Sequence, residues 1–137
     1  MADSSPTPIE PIIEILQAKK ARDIKLLDLR SSTDTTDFFV ICTATSDAHV
    51  KALADEVSEE MKLQGSRAWH IEGYRTRRWI LIDFVDVVVH VMRREAREFY
   101  SLERLWGDAK IITYDDDEPE AFDDVAEGDT EFAFSRP

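Results

Sequence analysis

The stretch WILIDFVDVVVHVM, residues 79–92, constrains the fold more than any other part of the chain. Large apolar groups stand at odd and even positions alike, and a strand apolar on both faces is normally buried on both. Only Val85 and Asp86 separate Trp79–Phe84 from Val87–Met92, so the two halves must pair as a hairpin. Alternation alone puts Trp79, Leu81, Val87, Val89 and Val91 in one set, and Ile80, Ile82, Val88 and Met92 in the other. Covering both faces takes helices on two sides, and the chain has few. Either helices and a second copy cover the sheet, or one patch around Trp79 is an open protein-docking surface.

The remaining segments supply a mixed α/β framework. Ile12, Ile13, Ile15 and Leu16 line one side of a short helix, with Pro11 suited to its first turn. Ile24–Leu29 reads as a strand and residues 32–37 as a polar loop. Phe38–Ala44 is β-branched and aromatic, as a buried strand should be. Val50, Leu53, Ala54, Val57 and Met61 then recur with the spacing of an amphipathic helix. Ser46 or Asp47 can cap its start, and Gly65 can stop it. Arg67–Glu72 reads as a further strand, and residues 94–106 as helical in places. The predicted order is α-β-β-α-β-β-β-α, a mixed sheet of about five strands with two to three packed helices.

The charge is concentrated at one end. The chain of 137 residues carries 29 acidic and 17 basic groups, a net of −12. Ten of the acids and one arginine lie between Asp115 and Pro137, which leaves only −3 on positions 1–114. Residues 115–137 therefore read as an acidic, disordered tail, residues 1–8 as a short disordered lead-in, and residues 9–114 as the folded domain. A net field of this sign repels phosphate backbones, which argues against direct nucleic-acid binding. No apolar run approaches a membrane span, and MADSSPTPIEP lacks the features of a secretory signal, so a soluble, cytoplasmic protein is expected. With Cys42 alone, neither an internal disulfide nor a cysteine-rich zinc site can form.

Catalytic motifs are scarce. Gly65, Gly73, Gly107 and Gly128 cannot assemble a phosphate-cradling loop. His49, His70 and His90 lack metal-ligand spacing. Cys42 lies in an apolar strand, where cysteine is usually an inert hydrophobe. Asp83 and Asp86 flank the hairpin turn, where aspartates commonly cap backbone groups, although the pair also admits a metal-binding reading.

Three stretches carry a family resemblance: LLDLRSSTDTTDFFVICTATSDAHVKALADEV (26–57), EGYRTRRWILIDFVDVVVHVM (72–92) and REFYSLERLWGDA (97–109). Together they resemble the ribosomal silencing factor family, RsfS or Iojap-like, over about residues 9–109. The departures are Ala44 where glycine is usual, Val85 where a turn glycine is common and Met92 where an aromatic is common. A β-branched residue tolerates positive φ poorly, so Val85 leaves the turn type open.

The resemblance implies a minimal nucleotidyltransferase-like fold without catalysis, no cofactor, and homodimers as seen among members. It implies docking on large-subunit ribosomal protein L14, which blocks joining of the subunits and represses translation when nutrients are scarce. That kinship makes a nucleotidyltransferase using Asp83 and Asp86 the alternative, but the glycine-serine turn and metal pair of active relatives of that fold are missing. An apolar centre ringed by acids suits a basic ribosomal protein. Trp79, Asp83, Tyr100, Glu103 and Trp106 are the expected contact residues, with Asp86 and His90 beside them. The same residues admit structural roles: Tyr100 and Trp106 as caps of the sheet edge, Asp86 as a turn anchor, His90 as a core histidine.

Overall fold

The computed structural model describes residues 6–115, and most of the expected acidic tail lies outside the described residues. The fold is a six-stranded mixed sheet with helices on both faces. The elements, in chain order, are α1 (Glu10–Ala18), β1 (Arg22–Asp28), β2 (Phe38–Ala44), α2 (Asp47–Leu63), β3 (His70–Glu72), β4 (Trp79–Asp83), β5 (Val87–Arg93), α3 (Arg94–Tyr100), α4 (Leu102–Leu105) and β6 (Lys110–Tyr114). The sheet order is β3-β4-β5-β2-β1-β6. Its one parallel pair, β2 with β5, lies at the centre, with Phe38 opposite Val87 and Ala44 opposite Arg93. Parallel neighbours need a crossover, and α2 lies within the connection.

The first face of the sheet is the principal core. Ile24, Leu26, Val40, Cys42, Ile80, Ile82, Val89 and Val91 meet Ile12, Ile13 and Leu16 of α1 and Val50, Leu53, Ala54, Val57 and Met61 of α2. The α2 start is as expected: Ser46 accepts a hydrogen bond from the His49 amide at 3.0 Å. Gly65 follows its end at φ 99, the left-handed stop that glycine makes without steric cost.

Four features depart from the expected order. β6 makes a sixth strand, because Ile111 and Ile112 pair with Leu27 and Leu26 at the sheet's edge. Its apolar residues are half-exposed and too few to show a buried pattern. The strand expected over Arg67–Glu72 shortens to His70–Glu72. The helical stretch 94–106 breaks at Ser101, whose φ of 47 ends α3 and starts α4. Of the expected lead-in, Thr7 is held by Asp86, its amide and hydroxyl donating to the two carboxylate oxygens at 2.7 and 2.6 Å.

The hairpin register also corrects the grouping drawn from simple alternation. A two-residue turn pairs Trp79 with Met92, Leu81 with His90 and Ile82 with Val89. Opposed residues share a face, so odd positions of β4 join even positions of β5. Trp79 and Leu81 therefore stand with His90 and Met92, while Ile80 and Ile82 stand with Val89 and Val91. Counting on through the turn as if the chain were one strand loses that switch.

Val85 opens this turn with φ 81. Two-residue hairpins favour glycine where the first central residue has positive φ, and a β-branched side chain there is strained. The side chain is 57% exposed, so its removal forfeits little packing. Val85→Gly should raise stability by about 1 kcal/mol, because strain relief exceeds the added freedom of the unfolded chain. Thermal unfolding should shift upward by about 4 °C; an unchanged or lower midpoint would contradict the strain.

Candidate functional site

The second face of the sheet is only partly covered. Its buried centre is small: Leu27, Leu29, Ile41 and Met92 with Leu102 of α4. Phe39, Trp79, Trp106, Ala96 and Ala109 pack around it and remain partly accessible. The cover consists of α3 and α4, which together span 7 and 4 residues against the 17 of α2. Two helices that short cannot shield six strands.

Along the uncovered side runs a row of rings. Tyr100 and Trp79 have centroids 4.8 Å apart, Trp79 and His90 5.8 Å, His90 and Phe39 4.4 Å, and Phe39 and Trp106 6.1 Å. These are contact distances of favourable aromatic pairs. The row crosses β4, β5 and β2 and ends at Tyr100 of α3 and at Trp106, just past α4. Tyr100 is 52% exposed, and the neighbouring Phe99 and Leu105 are also exposed. Phe39, Trp79 and Trp106 are half-buried, so the row is contiguous and open mainly at its Tyr100 end.

His90 sits beneath this row and is only 3% exposed. Trp79 Nε1 donates to its Nδ1 at 3.0 Å. An indole nitrogen only donates, so the proton of the neutral imidazole is on Nε2. That Nε2 is buried without a hydrogen-bond partner among the described residues. Burial pushes the pKa of His90 down to about 3, so the ring is neutral. The Trp79 bond in turn fixes the indole plane.

Gly73 sets the other side of Trp79. It has φ 94, and a Cβ placed there would lie 2.0 Å from the Trp79 carbonyl oxygen. Only glycine lets the loop before β4 pass this close.

A buried arginine holds α3 and α4 on the sheet. Arg97 is 7% exposed; its Nη1 donates to the Asp23 carbonyl at 2.7 Å and to Thr43 Oγ1 at 2.8 Å. Nε and Nη2 both donate to Glu103 Oε2, at 3.1 and 2.8 Å. Burial, the largest single influence, would raise the Glu103 pKa, but the Arg97 hydrogen bonds, the Arg97 charge and smaller contributions from a backbone hydrogen bond and Lys25 together hold the carboxylate below its usual range. Glu103, expected as a contact residue, thus ties α4 to α3. Arg97 was not singled out from sequence. Its partners lie six residues on across a helix break and 54 and 74 residues away, so no local period reveals it.

The remaining expected site residues fall at the turn. Asp83 shares the second face with Trp79, and its Oδ1 accepts from the Val85 amide at 2.7 Å. Asp86 faces Thr7, as described above, and its carbonyl accepts from the amides of Asp37 and Phe38. The structure therefore brings Trp79, His90, Tyr100 and Trp106 together, places Asp83 at the margin and directs Asp86 away. Among the described residues, no three His, Cys, Asp or Glu side chains gather as a metal site. Cys42 is buried, and burial pushes its thiol up to about 12. No helix is long and apolar enough to cross a membrane among the described residues.

Comparison with known proteins places these features in context. A family model described as "Ribosomal silencing factor during starvation" matches residues 2–134. That span reaches beyond the resemblance read from the sequence, into the acidic segment. The chain is 40% identical over 97 residues to the ribosomal silencing factor RsfS of Bacillus subtilis, covering 71% of this chain and 82% of that one. It is 41% identical over 99 residues to RsfS of Haemophilus influenzae, covering 72% and 97%. It is 33% identical over 101 residues to mouse "Mitochondrial assembly of ribosomal large subunit protein 1", covering 72% and 44%. A crystal structure of a Chromobacterium violaceum protein superposes with a TM-score of 0.68 at 38% identity, covering 70% of this chain and 80% of the other.

Two expectations follow from the geometry. The unfolded chain protonates His90 near its ordinary pKa, while the folded protein resists until about pH 3. The unfolded state thus binds more protons between these values, and stability should fall as pH drops below about 6.5. In His90→Phe the decline between about pH 6.5 and 4.5, above the carboxylate range, should flatten in urea titrations; an equal slope in both proteins would exclude His90 as its source. Arg97→Met should cost about 3 kcal/mol by stranding Glu103, and adding Glu103→Leu should recover part of it. No recovery in the double variant would show that the pair is not coupled.

Proposed function

Because the chain belongs to the ribosomal silencing factor family, we propose that it docks on large-subunit ribosomal protein L14 through the aromatic row and so blocks joining of the small subunit. It represses translation by occupying that surface, most usefully when nutrients limit synthesis. The single observation that carries this reading is the thinly covered second face, where a continuous row of rings joins exposed Tyr100 to half-buried Trp79, Phe39 and Trp106 over the buried ring of His90. Burial of such a patch is the natural source of binding free energy, and aromatic anchors dominate interfaces of this kind. The name of the mouse relative, which refers to the ribosomal large subunit, supports the choice of subunit. The near-neutral, slightly acidic folded body favours a basic ribosomal protein over bare RNA.

Within this reading Tyr100 and Trp79 are the anchors, Trp106 and Phe39 extend the patch, and Asp83 lies at its rim. His90 acts as a positioning residue through its hydrogen bond to Trp79. A homodimer formed over the same face would compete with the ribosome. Protein of this kind acts in the cytoplasm, where the subunits are. Asp83 and Asp86 serve the turn and Thr7, so the nucleotidyltransferase alternative gains no support from their placement.

Tyr100→Ala provides the direct test. Tyr100 is half-exposed at the end of the row, so truncation should shift unfolding by less than ~1 kcal/mol. Affinity for purified L14 should fall about thirtyfold, a hot-spot loss of ~2 kcal/mol, with a matching loss of subunit-joining inhibition. Trp79→Ala should lose both binding and stability, because its indole also satisfies His90. Undiminished L14 binding by both folded variants would refute docking through this face.

A further inference from the structure

Two neighbouring strands of the sheet send their connections to opposite faces. The chain leaves β2 for the first face through α2, and leaves its parallel neighbour β5 for the second face through α3. In open α/β sheets, ligands bind in the crevice outside the carboxyl ends of strands at such a reversal. On the second-face side of this crevice, an open hollow lies between α3 and α4 and the adjoining ends of β1 and β2. Its volume of about 480 Å³ is that of a small-molecule site.

Four arginines line the hollow against three acids, a local excess of positive charge in a chain whose net charge is −12. Two of the four are occupied. Arg22 is engaged within the fold, and Arg97 is held by Glu103, Thr43 and Asp23. Arg94 and Arg104 differ: both are exposed, and neither guanidinium has an ion pair or hydrogen bond among the described residues. Glu98 stands one helical turn beyond Arg94 on the same wall, yet the two form no ion pair. Thr43 Oγ1 accepts from Arg97, and its own hydroxyl hydrogen remains to donate.

We propose that this hollow binds a small ligand bearing a diphosphate group, anchored by Arg94 and Arg104 with Thr43 as a further donor. A guanidinium presents paired donors that match two oxygens of one phosphoryl group. Two free forks in one hollow suit two adjacent phosphoryl groups. The ligand has to carry several charges, because a lone carboxylate gains little from two solvated cations against the field of an acidic chain. The mixed charge of the wall suits a compact ligand, whereas a nucleic-acid backbone needs a continuous cationic track. This inference stands apart from L14 docking and does not rest on it.

The test adds inorganic pyrophosphate to the full-length protein at about 0.15 M salt, where attraction between exposed charges is screened beyond about 8 Å. Amide signals of Thr43, Arg94 and residues 101–104 should shift and saturate, and the thermal midpoint should rise with ligand concentration. R94Q/R104Q should weaken binding roughly thirtyfold, since each fork supplies charge-assisted hydrogen bonds. Both side chains are exposed, so the midpoint of that variant without ligand should stay unchanged. E98Q removes a like charge from the wall and should tighten binding about threefold. R75Q/R78Q, which alters two exposed arginines outside the hollow, should bind pyrophosphate as the unaltered chain does. Shifts that never saturate, or equal weakening in R75Q/R78Q and R94Q/R104Q, would overturn the proposal. So would an RNA oligonucleotide that moves the same signals at lower concentration than pyrophosphate, which would assign the arginines to a nucleic-acid backbone.

Discussion

The parallel pairing of β2 with β5 is the constraint on which the rest depends. Every residue from Val87 to Met92 is buried, and β2 carries Val40, Ile41 and Cys42 fully buried beside it. Two strands buried on both faces demand cover above and below. The crossover between them supplies the first layer, since α2 has to lie over the sheet to bring the chain back, and α1 packs alongside it. Cover on that side is therefore set by topology as much as by the apolar stripe of α2.

The second side has no such provision. After β5 the chain has only residues 94–109 before it returns as β6, and it folds them into two short helices joined at Ser101. Neither has the length to be stable alone, and together they bury little apolar surface. Arg97 compensates by fastening both helices to β1 and β2 through hydrogen bonds. A buried charge of this kind is costly to desolvate and gains its value from complete pairing, which Glu103, Thr43 and the Asp23 carbonyl provide. Fixing the helices by polar contacts leaves their apolar rings, Tyr100 and Trp106, available at the margin of the sheet.

Strands with strong patterns were legible in the sequence, and so was α2, with Ser46 one of the two caps its start offered. Phe38–Ala44 appears with the bounds expected, because β-branched density and polar flanks mark it locally. β6 was not legible, since a half-exposed edge strand shows neither a buried run nor clean alternation. The facing of Trp79 was misread because a two-residue turn exchanges odd and even positions, a property of the turn and not of either strand. The aromatic members of the candidate surface were visible as residues, yet their grouping was not. Tyr100, Trp79, His90 and Phe39 come from four elements and Trp106 from the residue after α4, and only the β2–β5 register sets Phe39 two positions from His90 across the sheet. Arg97 and Glu103 stood in one motif, but the break at Ser101 that brings them together left no glycine to announce it.

A face kept open for a partner must still survive in water alone, and His90 shows how that is reconciled here. Its ring fills the floor beneath Trp79 and Phe39 as an apolar residue would, and burial keeps it uncharged. A phenylalanine would fill the same space but leave the indole N–H of Trp79 to find another acceptor. Histidine accepts that hydrogen bond and fixes the indole in position, so the rings above are ordered before any partner arrives. Ordering in advance lowers the conformational cost of association. The cost falls on His90 itself, whose Nε2 hydrogen is buried without a partner among the described residues. An unsatisfied buried donor weakens the free protein by an amount of order 1–3 kcal/mol. The fold tolerates it because the first face, with two helices and most of the large aliphatic residues, carries the stability that the second face gives up.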